Sequence, residues 1–296
     1  MLALRLDRFI TLYVRTPLVS ITGMMDGPCI PVLVYHSISD NLFGMSHPYR
    51  QINTSSRQFS RQMRWLKEQG YESIDLKTMW SYLESGTNLN KKVVITFDDG
   101  YRDLFTEALP LMKQLGFTAT VFLISDRIQD SSLKIEGADY LTWSDVRTLV
   151  AEEFQIGSHT ATHADLRSSG PEQIEYEVGY SKEAIEQRTG TSVTSFAYPF
   201  PFPEHDKRFA HYLADTLANF GYEYGLSSII GRTHTTSDRF MIPRLAVNSW
   251  DDSPLFRAKL EGYYDWVHLP QRLYKAIYHN PSPMDGTDRF DAEDTN

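Results

Sequence analysis

Apolar residues recur along this chain with two periods, and the two periods alternate. "PVLVYH" (31–36) is a short β-branched run that reads as a strand. "SSRQFSRQMRWLKEQG" follows, with Phe59, Met63 and Leu66 on one helical face, Ser56 as a candidate N-cap and Gly70 as a stop. Then come the strand "KVVITF", a helix near 103–115 closed by Gly116, and the strand "TATVFLI" (118–124). A short helix is predicted from about Ser144, with Trp143 packed at its start and Ser144 or Asp145 capping it. "FQIGS" (154–158) reads as a strand ending at His159. The next helix has Pro171 in its first turn, Ile174, Val178 and Ile185 on one face, and Gly190 at its end. Strand "SFAYPF", a helix near 206–220 stopped by Gly221, and strand "YEYGLSS" complete the series. Such an alternation implies an α/β fold with a mainly parallel sheet and helices outside, either doubly wound or closed into a barrel.

The pattern changes at both ends. In an N-terminal extension (1–29), Leu2, Leu6, Phe9 and Tyr13 fall at helical spacing and predict an amphipathic helix. It is expected to pack on the domain, with weak contact to a membrane surface as the alternative. Arg5, Asp7, Arg8 and Arg15 interrupt every apolar run before the core of a signal peptide can form. Residues 30–278 show no repeat and no linker, which predicts one domain. Residues 279–296, "HNPSPMDGTDRFDAEDTN", are polar and acidic and read as a flexible tail.

Composition narrows function more than fold. The net charge of −9 argues against a protein that binds nucleic acid through its phosphates. The single cysteine, Cys29, allows no intrachain disulfide; beside an apolar strand, it is expected to be a small buried hydrophobe. No apolar stretch approaches the ~18 residues that a membrane span needs. With neither signal peptide nor disulfide, a cytoplasmic protein is expected. The oligomeric state leaves no mark on the sequence.

In a parallel α/β sheet, the loops leaving the strand C-termini converge on one face and hold the chemistry. After "VVITF" come Asp98, Asp99 and Gly100; after "FQIGS" come His159 and His163 in "HTATH"; after "SFAY" come Pro199 and Phe200. The histidines at i, i+4 can face one ion, and one of the aspartates can add an oxygen. Three protein ligands with an open position describe a catalytic rather than a structural metal site. The other aspartate would then be free to accept a proton.

"TFDDG" and "HTATH" stand in order with "YHSI", "ALPLMKQLGFTATVFL", "LTWSDVRTLV", "IGSHTATHADL" and "FAYPF", between about Ile30 and Trp250. This series resembles the polysaccharide deacetylases, the NodB-homology or carbohydrate esterase family 4 enzymes. The resemblance implies a distorted (β/α)7 barrel that hydrolytically removes acetyl groups from an N-acetylhexosamine-containing glycan or its precursor. It also implies Asp98 as general base, and Asp99, His159 and His163 as ligands of a divalent metal, usually Zn2+. The backbone N–H of Phe200 would help to hold the oxyanion.

The sequence departs from the family pattern in three places. Where the third motif usually carries an arginine two residues before its proline, this chain has Ala197; Arg244 in "MIPRLAV" is the candidate replacement. Pro201 follows Phe200, where related sequences often have glycine. The usual C-terminal Leu-x-His motif is absent, since "WVHLP" around His268 does not look like a closing strand. His36, at the end of the strand in "VLVYHSI", is the candidate acid, as in exopolysaccharide deacetylases that look circularly permuted. Tyr198 and Trp250 are candidate substrate contacts, although Tyr198 also reads as core; Asp251 and Asp252 accompany Trp250. His47, His205, His211 and His234 read as surface residues. An O-acetyl esterase or small-amide hydrolase would use the same machinery. A non-catalytic carbohydrate-binding relative is the alternative that the missing motif arginine and terminal histidine support, although binding alone needs no water activation; a structural metal protein is a third reading.

Overall fold

The computed structural model describes residues 5–22, 27–40 and 52–277, apart from 133 and 136. Leu2, His47 and the acidic tail lie outside the described residues. Seven strands form the core: Val32–Tyr35 (β1), Lys92–Phe97 (β2), Thr120–Leu123 (β3), Gln155–Ser158 (β4), Ser195–Ala197 (β5), Tyr224–Ile230 (β6) and Ile242–Ala246 (β7). All neighbours pair in parallel, in the order β1-β7-β6-β5-β4-β3-β2, and β2 pairs back to β1. The sheet therefore closes, which decides between the two topologies that the alternation allowed.

Closure explains the strand composition. A parallel strand with helices outside and packed side chains inside is buried on both faces, so it reads as a continuous β-branched run rather than an alternating one. All six residues of β2 are buried. The first strand in the chain is the last in the ring: Leu33 and Val34 of β1 pair with Leu245 and Ala246 of β7, and Val32 to Tyr35 pair with Val94 to Phe97 of β2. This arrangement places the end of β1, and so His36, beside the end of β2.

Helices occupy most crossovers, in the right places but with small shifts at their ends. Ser55, not Ser56, caps the helix Ser56–Glu68, because it keeps an extended backbone while its hydroxyl accepts from the Gln58 N–H. Thr142, not Ser144, caps Trp143–Ala151 in a reciprocal box with Asp145. The helix Pro171–Thr189 ends at Gly190 with φ 71°, a left-handed cap. Cys29 lies on a two-residue strand paired with Thr233–His234 and is only partly buried.

Residues 6–22 (α1) are helical, with a π turn over Thr11–Arg15. As expected, α1 packs on the domain, but it does so through the opposite face. Asp7, Thr11 and Val19 are buried, whereas Leu6, Phe9 and Tyr13 are exposed. Polar contacts set this orientation. The Tyr264 hydroxyl donates to Asp7 (2.8 Å), Trp266 Nε1 donates to Thr11 (3.0 Å), and Arg5 reaches both Asp7 and Asp251. Asp251 is fully buried and also takes Lys259 Nζ at 2.7 Å, while Asp252 caps Ser253–Leu260 and pairs with Arg8. These two acids anchor the extension.

Candidate active site

The ends of β2 and β4 bring the paired acids and the paired histidines together. Asp99 Oδ1, His159 Nε2 and His163 Nε2 form a group whose ligand atoms all lie within 4.8 Å of one another. Each histidine Nε2 is 3.4 Å from Asp99 Oδ1. That separation is long for a hydrogen bond. It leaves Oδ1 a buried acceptor with no hydrogen bond among the described residues. His159 Nδ1 sits 2.7 Å from the Ala197 carbonyl oxygen. The carbonyl can only accept, so Nδ1 carries a proton, and in the neutral ring the Nε2 lone pair faces the cluster. A buried oxygen without a donor and an imidazole lone pair held toward it suit a cation.

Backbone strain concentrates here. Among the described residues, seven non-glycine residues have positive φ, and Asp99, Thr160, His163 and Phe200 are four of them. For a β-branched residue such as Thr160, at φ 67°, this conformation is a real outlier. Local bonds hold it: Thr160 Oγ1 accepts from the His163 N–H (2.9 Å), and the Thr160 carbonyl accepts from the Ser125 N–H (3.2 Å). The exposed Phe200 ring packs 4.8 Å from the His163 ring.

Asp98 lies beside the cluster with a different partner. Arg244 NH1 and NH2 donate to its two oxygens at 2.7 and 2.8 Å, and Arg244 Nε donates to the Ser227 carbonyl at 3.0 Å. Both side chains are buried. Arg244 lies inside β7 rather than after a strand. The half-buried His36 follows β1 directly, next to the bond from the Asp98 N–H to the Tyr35 carbonyl (2.9 Å).

These contacts fix the charges. Burial pushes the Asp98 carboxyl up, but Arg244, His159 and His36 outweigh it and hold the group below its ordinary range. Burial likewise opposes ionisation of Asp99 and is overcome by the close approach of His159 and by the fields of the three histidines. Burial and the neighbouring His159 bring the His163 imidazole down to about 4, so it is neutral and able to bind a cation near pH 7.

The sequence reading missed Glu177, which is fully buried on the helix Pro171–Thr189. Its carboxylate accepts from the N–H groups of Ala161 and Thr162 (2.9 Å each), the Thr162 hydroxyl (2.7 Å) and Gln173 Nε2 (2.9 Å). It thereby fixes the "HTATH" loop. The available signal was an acid on the same helical face as Ile174, Val178 and Ile185. Glu177→Ala leaves several buried donors without an acceptor and is expected to cost about 3 kcal/mol, read by urea unfolding. Glu177→Gln retains part of the set and should cost less.

Two other candidates differ from the cluster in exposure. Tyr198 is 4% exposed, with its ring packed against Phe196 and Phe202 in the core. Trp250 is exposed, on the turn before the helix Ser253–Leu260. His268 opens a helix and bonds Glu204 at 2.8 Å, so it closes no strand.

Residues 85–224 match the family model for polysaccharide deacetylase. Together with the closed seven-stranded barrel, this match defines the class for that stretch: residues 85–224 form a polysaccharide deacetylase domain, as the motif order suggests. Among individual proteins, it is 26% identical over 237 residues to YxkH of Bacillus subtilis (strain 168), named provisionally as a polysaccharide deacetylase. That alignment covers 79% of this chain and 76% of YxkH. It is 21% identical over 215 residues to the poly-beta-1,6-N-acetyl-D-glucosamine N-deacetylase of Staphylococcus aureus (strain MSSA476), covering 70% of this chain and 71% of that one. The crystal structure of BC0361, a polysaccharide deacetylase from Bacillus cereus, superposes with a TM-score of 0.64 at 26% identity, over 78% of this chain and 69% of that one. The Streptococcus pyogenes deacetylase PplD, solved with acetate, shares the fold with a TM-score of 0.65 at 20% identity, over 78% and 98% of the two chains.

Proposed function

We propose that this protein is a metal-dependent hydrolase that removes N-acetyl groups from an N-acetylhexosamine-containing glycan or glycan precursor. One observation carries the reading: a buried acceptor–lone pair cluster (Asp99, His159, His163) adjoins a second acid, Asp98, that is held ionised by a different cation. Binding alone would not need that second acid. The name of the Staphylococcus aureus relative supplies the substrate class.

Asp99, His159 and His163 would hold a divalent cation, Zn2+ first by the character of the donors. When bound, the cation supplies Lewis acidity toward an acetyl oxygen and eases deprotonation of a water. Asp98 accepts the proton of the attacking water, and the Arg244 fork aims its two oxygens. The Phe200 N–H donates to the oxygen that gains charge in the tetrahedral state. His36 protonates the departing amine, which is a very poor leaving group without that proton. Trp250 offers an aromatic face for a sugar ring, and Tyr198 supports the loop from beneath.

Acetate release from N-acetylglucosamine oligomers tests this reading. Chelation is expected to abolish release and added Zn2+ to restore it. Release that persists after chelation would sink the metal-dependent mechanism. Release from O-acetyl esters alone would move the chemistry to an esterase on the same site.

A further inference from the structure

Two helices dock by polar side chains and turn apolar ones to solvent. The inward side of α1 is Asp7 and Thr11, held by Tyr264 and Trp266, with Val19. Its outward side is Leu6, Phe9, Tyr13, Val14, Leu18 and Ile21, each between 51% and 84% exposed. The π turn helps, because its extra residue per turn rotates Leu18 and Ile21 toward the side of Leu6 and Phe9. The helix His268–Ile277 (α2) repeats the inversion. His268 and Lys275 meet Glu204, and Gln271 bonds the backbone of Ser228 and Ile230. Leu269, Leu273 and Tyr274 point away, 59–65% exposed. Tyr264 and Trp266, which grip α1, immediately precede α2, so the two helices are neighbours.

A helix at a water-facing surface normally buries its apolar stripe. Large exposed apolar patches mark interaction sites. Charge indicates what this one meets. The chain has 38 acids against 29 bases, yet neither helix presents a carboxylate outward: the only acid of α1, Asp7, is buried, and α2 has none. Arg272 is exposed beside Leu269 and Leu273, and the half-buried Arg15 follows Val14. Cations beside apolar and aromatic side chains, with no outward carboxylate on either helix, complement an anionic lipid surface. In a two-fold dimer the same face would set these cations against their own copies.

We propose that α1 and α2 together form a docking surface for an anionic lipid bilayer, with the helices lying in its interface. The full chain is floated with phosphatidylcholine vesicles, with and without phosphatidylglycerol, and its sedimentation is measured without lipid. Binding is expected to the anionic vesicles, to weaken in high salt, and to fall about tenfold or more in Leu18→Glu/Ile21→Glu. Leu273→Glu, on the other helix, should weaken it separately. Far-UV circular dichroism and acetate release in solution should match the parent in both variants. Absence of binding to either vesicle, or binding unaffected by both variants, would overturn the proposal. So would a lipid-free dimer that the glutamates dissociate, which assigns the face to a second copy. Binding that appears only after removal of 278–296 would assign it to the chain's own tail and overturn the proposal equally.

Discussion

Asp98→Asn is expected to lower acetate release by about a thousandfold while leaving Zn2+ affinity within a few-fold of the parent. The amide keeps the size of the side chain but cannot accept the proton of an attacking water. It also lies outside the ligand group, whose members are Asp99, His159 and His163. Asp99→Asn should reverse the pattern. It exchanges an anionic buried oxygen for a neutral one in the ligand group, so Zn2+ affinity falls and acetate release falls with it. Adding excess Zn2+ should then recover activity in Asp99→Asn but not in Asp98→Asn. Calorimetric Zn2+ titration paired with an acetate assay separates the two adjacent acids. Equal loss of metal by both variants would refute the division of roles.

Whatever depends on local spacing was legible in the sequence. Continuous β-branched runs gave strands because closure buries both faces, and the acids and histidines could be found at strand ends because parallel strands share one exit face. Long-range contacts decided what was missed. Nothing near Arg244 in the chain says that its fork spans from β7 to Asp98 at the end of β2, 146 positions away. Glu177 gains its meaning only when the "HTATH" loop folds onto its helix. The apolar spacing in α1 correctly predicted an amphipathic helix but could not give its orientation. That depends on Asp251, Asp252, Tyr264 and Trp266, all contributed from the other end of the chain. The strained φ values at Asp99, Thr160, His163 and Phe200 have no sequence signature either, because none is the glycine that such a conformation favours.

Arg244→Ala should be the most destabilising single change at the site, by about 3–5 kcal/mol, because it leaves a buried carboxylate without its cation. The same pair removed together costs less: Asp98→Asn with Arg244→Met leaves no uncompensated charge, and the double variant should be more stable than Arg244→Ala alone. The sign of the pH dependence follows from the depressed Asp98 value. A lowered folded-state value stabilises fully above the unfolded carboxylate range and is lost as the pH falls through the folded one. The gap between parent and Arg244→Ala should therefore be wide at neutral pH and close under strong acid. Catalysis moves with it. Without the guanidinium, burial acts on Asp98 with less opposition, its proton affinity rises, and the acid limb of the kcat/KM profile shifts to higher pH. A merely structural arginine would lower stability without moving that limb. Urea unfolding across pH, run beside the kcat/KM profile of whatever folded Arg244→Ala retains, distinguishes the two. A limb that stays in place would remove Arg244 from the tuning of the base and leave it only the packing of the barrel interior.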